Sequence, residues 1–250
     1  MSFLTEIKRL SLRFGFYRPT RWLSRRLRPS RQKSFENDVC FYRDLLPSGG
    51  LAFDVGANIG EKSEALLAAG LRVVAFEPNP EVIPELLSRC QHCPDWTLIQ
   101  VALSKSPAIA SFYARTSHES SGFIPDWGGS PAHLYHVPVL NLDLAIAHFG
   151  VPDFCKIDVE GWELEVLSGL TQKPTILSFE FHLTEANIAQ TKLCLDSLRK
   201  LGYKRANLAP EESIEFLHPS WIDIDELYEG FPDRYKAMTE LIYGDIYVCV

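Results

Sequence analysis

The chain has 250 residues, 46% of them hydrophobic, and a formal net charge of −7. That length and apolar content suit one α/β domain with extensions, and no run of ~18 or more uncharged apolar residues offers a bilayer span. The charge is uneven: residues 1–33 hold ten Lys/Arg and one acid, Glu6, so the remainder is strongly acidic, which argues against a broad nucleic-acid surface.

Residues 1–33 read as a basic amphipathic arm. Phe3, Leu4, Ile7, Leu10 and Phe14 share one helical face, with Lys8, Arg9 and Arg13 elsewhere, and Pro19 and Pro29 interrupt the pattern. Two readings stay open: an interfacial helix on anionic lipid or an acidic partner, and a packed or frayed arm. The arm lacks the continuous apolar stretch and small-residue cleavage site of a secretory signal. The expected location is cytoplasmic, with the arm available for peripheral contact at the inner face of the membrane.

Residues 34–250 read as the catalytic domain. A helix is expected over 35–46, ended by Pro47-Ser48-Gly49-Gly50. An α/β alternation follows: strand 51–55, helix 61–69, strand 72–76, helix 81–90, strand 96–103. A loop insert, 104–135, interrupts the rhythm, with a short strand at 110–113 that pairs back with 137–140. Helix 141–149, strand 154–159, a helix to Leu167, strand 175–181, helix 184–200 and strand 203–208 come next. An acidic, aromatic insert, 211–243, precedes a last strand at 246–250. Such alternation predicts a parallel sheet with helices on both faces.

The strongest local pattern is FDVGANIG, residues 53–60, between a strand and a helix. Gly56 and Gly60 let the backbone turn tightly and approach a ligand, and the helix N-terminus adds free N–H groups. The pattern is a poor dinucleotide fingerprint. Laid on Gly56, the second and third glycine positions fall on Asn58 and Glu61, and an acid there is unhelpful beside a pyrophosphate. S-adenosylmethionine (SAM) carries no phosphate and escapes that objection. Glu77, in AFEPNP, ends the second strand 21 residues after Gly56, the place from which a carboxylate accepts hydrogen bonds from both ribose hydroxyls. Ala102, in Val101-Ala102-Leu103, ends the third strand, where it would flank an adenine ring.

The second pattern is KIDVEGWELEVLSGL, residues 156–170. Lys156, Asp158 and Glu160 alternate and so point the same way, and Glu180 and His182 do the same in SFEFH. Same-facing charges at a strand end are costly when buried and unpaired, so Lys156 is expected to pair with an acid and Glu160 to cap the turn at Gly161. Asp158, Glu160, Glu180 and His182 are expected to converge on one rim. His118, Ser120, Ser121, His133 and His136 either contact a substrate or merely solvate a lid. Cys90 and Cys93 form a lone CxxC, read as a helix-end loop because no second pair completes a zinc site. Ser63 and Ser168 lack a nucleophile-elbow pattern.

Taken together, FDVGANIG, AFEPNP, VALSKS, KIDVEGWELEVLSGL and SFEFH resemble the FkbM family of SAM-dependent methyltransferases over roughly residues 50–205. The resemblance implies a Rossmann-like class I methyltransferase fold: a mostly parallel seven-stranded sheet, helices on both faces and an antiparallel last strand. It implies methyl transfer to oxygen on a sugar, glycan or related hydroxylated metabolite. Carried over by position, Asp54, Gly56, Asn58, Gly60 and Glu77 would hold SAM, and Asp158 and Glu160 would edge the active site. Glu61-Lys62 departs from the family pattern, and residues 1–33 and 211–243 lie outside it.

For an alcohol acceptor the protein must align the hydroxyl and take its proton. His182 and Asp158 are the candidate bases, with Glu160 and Glu180 beside them. An alternative set, Asp158, Glu180 and His182, would bind Mg²⁺ or a similar ion. Two rival functions remain, a non-catalytic SAM-binding protein and a nicotinamide-dependent oxidoreductase, the latter disfavoured by the missing second glycine.

Overall fold

In the computed structural model the described residues are 29–115, 117–125, 133–210, 215–236 and 243–250. Most of the arm, residues 1–28, lies outside them. The first helix, α1 (Pro29–Leu45), begins within the stretch assigned to the arm. Then come β1 (Leu51–Val55), α2 (Glu61–Ala68), β2 (Arg72–Phe76), α3 (Ile83–Cys90) and β3 (Trp96–Ile99). Next are β4 (Ala102–Leu103), β5 (Ala108–Ala114), β6 (His133–Leu140), α4 (Leu142–Phe149) and β7 (Phe154–Ile157). The rest is α5 (Glu163–Leu167), β8 (Ile176–His182), α6 (Glu185–Leu201), β9 (Arg205–Pro210), β10 (Ile222–Asp223), α7 (Ile224–Gly230), α8 (Asp233–Lys236) and β11 (Tyr243–Cys249).

The main sheet runs β10-β9-β11-β8-β7-β1-β2-β3. Strands β3, β2, β1, β7 and β8 pair in parallel, and β11 lies antiparallel between β8 and β9. Seven of these strands make the Rossmann-like methyltransferase sheet. The eighth, β10, is a two-residue antiparallel edge strand from the acidic insert. Sequence pattern alone missed β10 because two residues carry no periodicity.

Two corrections concern the loop insert. The expected strand 96–103 is two strands in different sheets: β3 stays on the main sheet, while β4 pairs parallel with β6. The 110–113/137–140 pairing is present but longer, since β5 and β6 pair from Ala108↔Val139 to Ala114↔His133. The result is a separate three-stranded sheet, β4-β6-β5.

Side chains alternate across the main sheet as the period-two rule demands. Phe53, Val55, Ile157, Leu177 and Phe179 face one core with Leu142, Val166, Leu195 and Leu227 from α4–α7. Ala52, Phe154 and Tyr247 face the other with Tyr42 from α1 and Leu66 from α2. Helices therefore cover both faces, and ligands reach the sheet only at strand ends. Asn141 caps α4, its side chain accepting from the Leu144 N–H at 3.0 Å. The strand order reverses about β1, between β2 and β7, which opens a crevice at their C-terminal ends.

Candidate active site

A cleft of about 480 Å³ lies at that crevice. One wall is the β1–α2 turn. Gly56 has φ 84°, and a Cβ there would run into the Asp158 carbonyl oxygen, so only glycine lets β1 and β7 close on each other. Asn58 is also left-handed, φ 49°, a conformation asparagine tolerates. The Glu77 carboxylate fixes this turn. It accepts the Asn58 N–H at 2.6 Å on one oxygen and the Asn79 N–H at 2.7 Å on the other. Burial pushes Glu77 up to about 7, against the two backbone N–H bonds that favour its charge. A carboxylate has about four lone-pair sites, so two backbone donors leave capacity for two more hydrogen bonds. The Asn58 Oδ1 atom is buried and has no partner among the described residues.

Asp54, on β1, accepts the Ser63 hydroxyl at 2.6 Å. Burial raises its pKa, opposed by Lys156 and by the Ser63 bond. Gly60 does not line the cleft. Its φ of 82° starts α2, and a Cβ would meet Leu86 Cδ1 at 2.5 Å, so this glycine packs α2 against α3. Cys90 sits in the same contact, its Sγ 3.9 Å from the Gly60 carbonyl oxygen, and burial pushes its thiol up to about 12. That is opposite to the shift that activates a thiolate.

The facing wall comes from β7 and β8. Lys156 is 2% exposed and donates to Asp158 Oδ2 at 2.6 Å. Burial acts to lower its pKa, but Asp158, Asp245 and Asp54 outweigh burial and hold the ammonium well above its usual range. Lys156 therefore does pair with an acid. The turn after it is capped differently from expectation: Glu163, not Glu160, accepts the Val159 and Gly161 N–H groups, at 3.2 and 3.1 Å. Glu160 is left-handed, φ 55°.

Asp158, Glu160 and Glu180 bring one oxygen each within 4.8 Å of one another. Burial, followed by Asp158 and Glu160, pushes Glu180 up to about 11, so it is a neutral acid near pH 7. His182 Nε2 lies 3.3 Å from Glu180 Oε2, and burial lowers its pKa against the pull of Asp158. The ring stacks on Tyr243 of β11, centroids 5.8 Å apart. The expected metal set is not the one assembled, since Glu160 joins Asp158 and Glu180 in place of His182. An all-oxygen triad suits a hard divalent ion. Lys156 nevertheless already gives Asp158 its countercharge, and Glu180 holds a proton.

The third side is a roof, residues 117–125, with a short 3₁₀ turn at His118–Ser120. Phe123 lies 5.4 Å from Phe112 and from Trp162, measured between ring centroids, and gives the cleft an aromatic flank. Of the residues expected at the site, Asp54, Gly56, Asn58, Glu77, Ala102, Asp158, Glu160, Glu180 and His182 all line this one cleft. His118, Ser120 and Ser121 line it too. His133 and His136 do not. His133 instead bonds the Glu81 carboxylate at 2.5 Å, on the outside of β6. Sequence reasoning missed Phe112, Phe123 and Tyr243, which also line the cleft. The signal for Tyr243 is its register opposite His182, which no local pattern carries.

A Rossmann-like sheet with a glycine turn, a strand-two carboxylate and an acid-lined switch point has the architecture of the class I methyltransferase fold. Residues 54–205 match the model of the Methyltransferase FkbM domain. The chain belongs to that family, whose cofactor is SAM. A curated relative, Hexuronic acid methyltransferase AglP of Haloferax volcanii, is 29% identical over 130 residues, 51% of this chain and 52% of that protein. The chain thus spans about half the length of the curated relative it matches. Among solved structures, it is similar to a TehB-like SAM-dependent methyltransferase of Corynebacterium glutamicum, with TM-score 0.47 and 9% identity, over 85% of this chain and 86% of that one. Fibrillarin of Aeropyrum pernix, solved with natively bound SAM, gives TM-score 0.47 and 11% identity over 82% and 68%.

Proposed function

We propose that the protein transfers a methyl group from SAM to a hydroxyl oxygen of a sugar, glycan or related hydroxylated metabolite. The observation that carries this reading is Glu77: a carboxylate at the tip of β2, both oxygens anchored by backbone N–H groups, at one side of a cleft whose other side is acidic. In the proposed arrangement Glu77 takes the ribose hydroxyls. The 56–58 turn approaches the rest of the nucleoside, and Asn58 Oδ1 supplies an open acceptor. Ala102 flanks the base. Asp54, bonded to Ser63, stiffens the turn. When bound, SAM supplies an electrophilic methyl group on a sulfonium.

The acids of the β7–β8 wall complement that positive charge and disfavour polyphosphates, which argues against the nicotinamide reading. They also disfavour a carboxylate as the methylated group. The relative named above is a hexuronic acid methyltransferase. In this chain a uronate would enter beside Asp158, Glu160 and Glu180, where one carboxyl is already driven to hold its proton. A neutral hydroxyl meets no such opposition.

His182 is the proposed base. Burial keeps its imidazole neutral near pH 7, and Asp158 favours the imidazolium formed when the hydroxyl proton arrives. Asp158 orients the acceptor and is itself held by Lys156. The test is titration calorimetry with SAM, followed by methyl transfer from labelled SAM to a panel of glycosides. Absence of SAM uptake would sink the whole reading. SAM uptake without transfer to any hydroxylated acceptor would favour a binding protein.

A further inference from the structure

Arg115 is 3% exposed. Its guanidinium donates to the carbonyl oxygens of Tyr113, at 3.1 Å, Ser120, at 2.9 Å, and Ile124 and Pro125, both at 2.8 Å. Its backbone N–H donates to Ser121 Oγ at 2.9 Å. One planar fork thus ties main-chain acceptors within the roof to the end of β5 before it. A guanidinium suits this because its five donors are fixed in a plane, whereas a lysine presents a single point. The roof also rests on the acidic turn: a Cβ at Gly122 would lie 3.6 Å from the Glu160 Cβ.

What Arg115 holds over the cleft is a polar surface with an open valence. His118 Nδ1 is shielded from solvent and has no partner among the described residues. Ser120, which also lines the cleft, has its hydroxyl turned to the Ser117 carbonyl at 3.0 Å, leaving the oxygen's lone pairs. A shielded ring nitrogen with no protein partner forfeits a hydrogen bond unless a ligand supplies one. Whichever tautomer His118 adopts, a hydroxyl matches it, because a hydroxyl both donates and accepts. A carboxylate matches only a protonated nitrogen.

We propose that residues 117–125 are the acceptor-recognition element of the cleft. His118 Nδ1 hydrogen-bonds an acceptor hydroxyl other than the one methylated, and Arg115 is the positioning residue that holds the segment in register. This rests on the methyl-transfer reading above and adds to it the element that selects a polyhydroxylated ring.

The test uses the full chain, labelled SAM, and methyl glucoside, methyl galactoside and methyl glucuronide as acceptors. In His118→Ala, the acceptor KM rises about tenfold, the worth of one shielded hydrogen bond, while the Kd for SAM stays unchanged. His118→Asn, whose amide offers a donor and an acceptor near the Nδ1 position, restores most of the loss. Arg115→Lys raises the acceptor KM more than it lowers kcat, again at constant SAM affinity. An unchanged acceptor KM in His118→Ala overturns the inference, as does a parallel loss of SAM affinity, which would put the roof on the cofactor side. If the unaltered protein binds SAM but methylates none of the glycosides, the sugar reading itself fails. That result is distinct from turnover that is indifferent to His118.

Discussion

The two walls of the cleft satisfy their polar groups in opposite ways. On the β1–β2 wall, Glu77 is buried but anchored on both oxygens by backbone donors, and Asp54 is matched by Ser63. On the β7–β8 wall, three carboxyl groups crowd within 4.8 Å, and Lys156 bonds Asp158. The first wall is built before any ligand arrives, which suits a cofactor that must be held the same way in every turnover. The second wall is under electrostatic tension relieved by protonation, with Glu180 neutral and His182 uncharged. A neutral imidazole beside ionised Asp158 suits the acceptance of a hydroxyl proton.

The largest expected effects come from breaking the prebuilt wall. Glu77→Ala removes the acceptor of two backbone N–H groups and both ribose partners, so SAM affinity should fall at least ~100-fold by calorimetry, each unsatisfied buried donor costing about 1–3 kcal/mol. Retained affinity would show that the turn is shaped without Glu77. The same carboxylate gives a pH signature. With its pKa raised to about 7, it protonates as pH falls from 8 to 6, and SAM binding should weaken over that window. Gly56→Ala places a Cβ against the Asp158 carbonyl at positive φ. It should cost roughly 3 kcal/mol or more and lower Tm by ~6–12 °C.

The tense wall predicts a separation of rate from binding. His182→Ala should lower kcat ~10²-fold or more, with SAM affinity kept, as loss of a general base does. Because burial lowers the His182 pKa, the wild-type acid limb should lie below the usual histidine value of about 6.5. Stability from keeping this ring neutral is present above that value and lost as pH falls through the folded pKa. A kcat unchanged by His182→Ala moves the base to Asp158.

The contrast between the walls also explains what could be read in the chain. The prebuilt wall is local: Gly56, Asn58 and Glu77 sit on one strand–turn–helix–strand unit, and their spacing reports their geometry. Half of the tense wall was legible by alternation, since Lys156 with Asp158 and Glu180 with His182 are residues two apart on strands. The rest depends on pairing between distant segments. Tyr243 reaches His182 only because β11 inserts antiparallel beside β8. Arg115 finds its carbonyls only once β5 turns into the roof. The division of 96–103 between two sheets is equally invisible, because Ala102 and Leu103 are apolar in either one. The glycine pattern points Gly60 toward a ligand, whereas helix packing against Leu86 is what requires it.

The pH dependence of stability is the most direct probe of the tension. Glu180 ionises near its ordinary value of 4.5 when unfolded but only near 11 when folded. Stability associated with its proton is therefore complete below about 4.5 and drains away as pH rises toward 11. Glutamine mimics the protonated acid and cannot ionise. Glu180→Gln should leave Tm unchanged at pH 4 and raise it at pH 9, where ionisation of the acid favours the unfolded chain. A Tm difference independent of pH would mean that Glu180 is already ionised in the folded protein. The crowded carboxylates would then need a countercharge beyond Lys156, and a bound cation would return as the natural candidate.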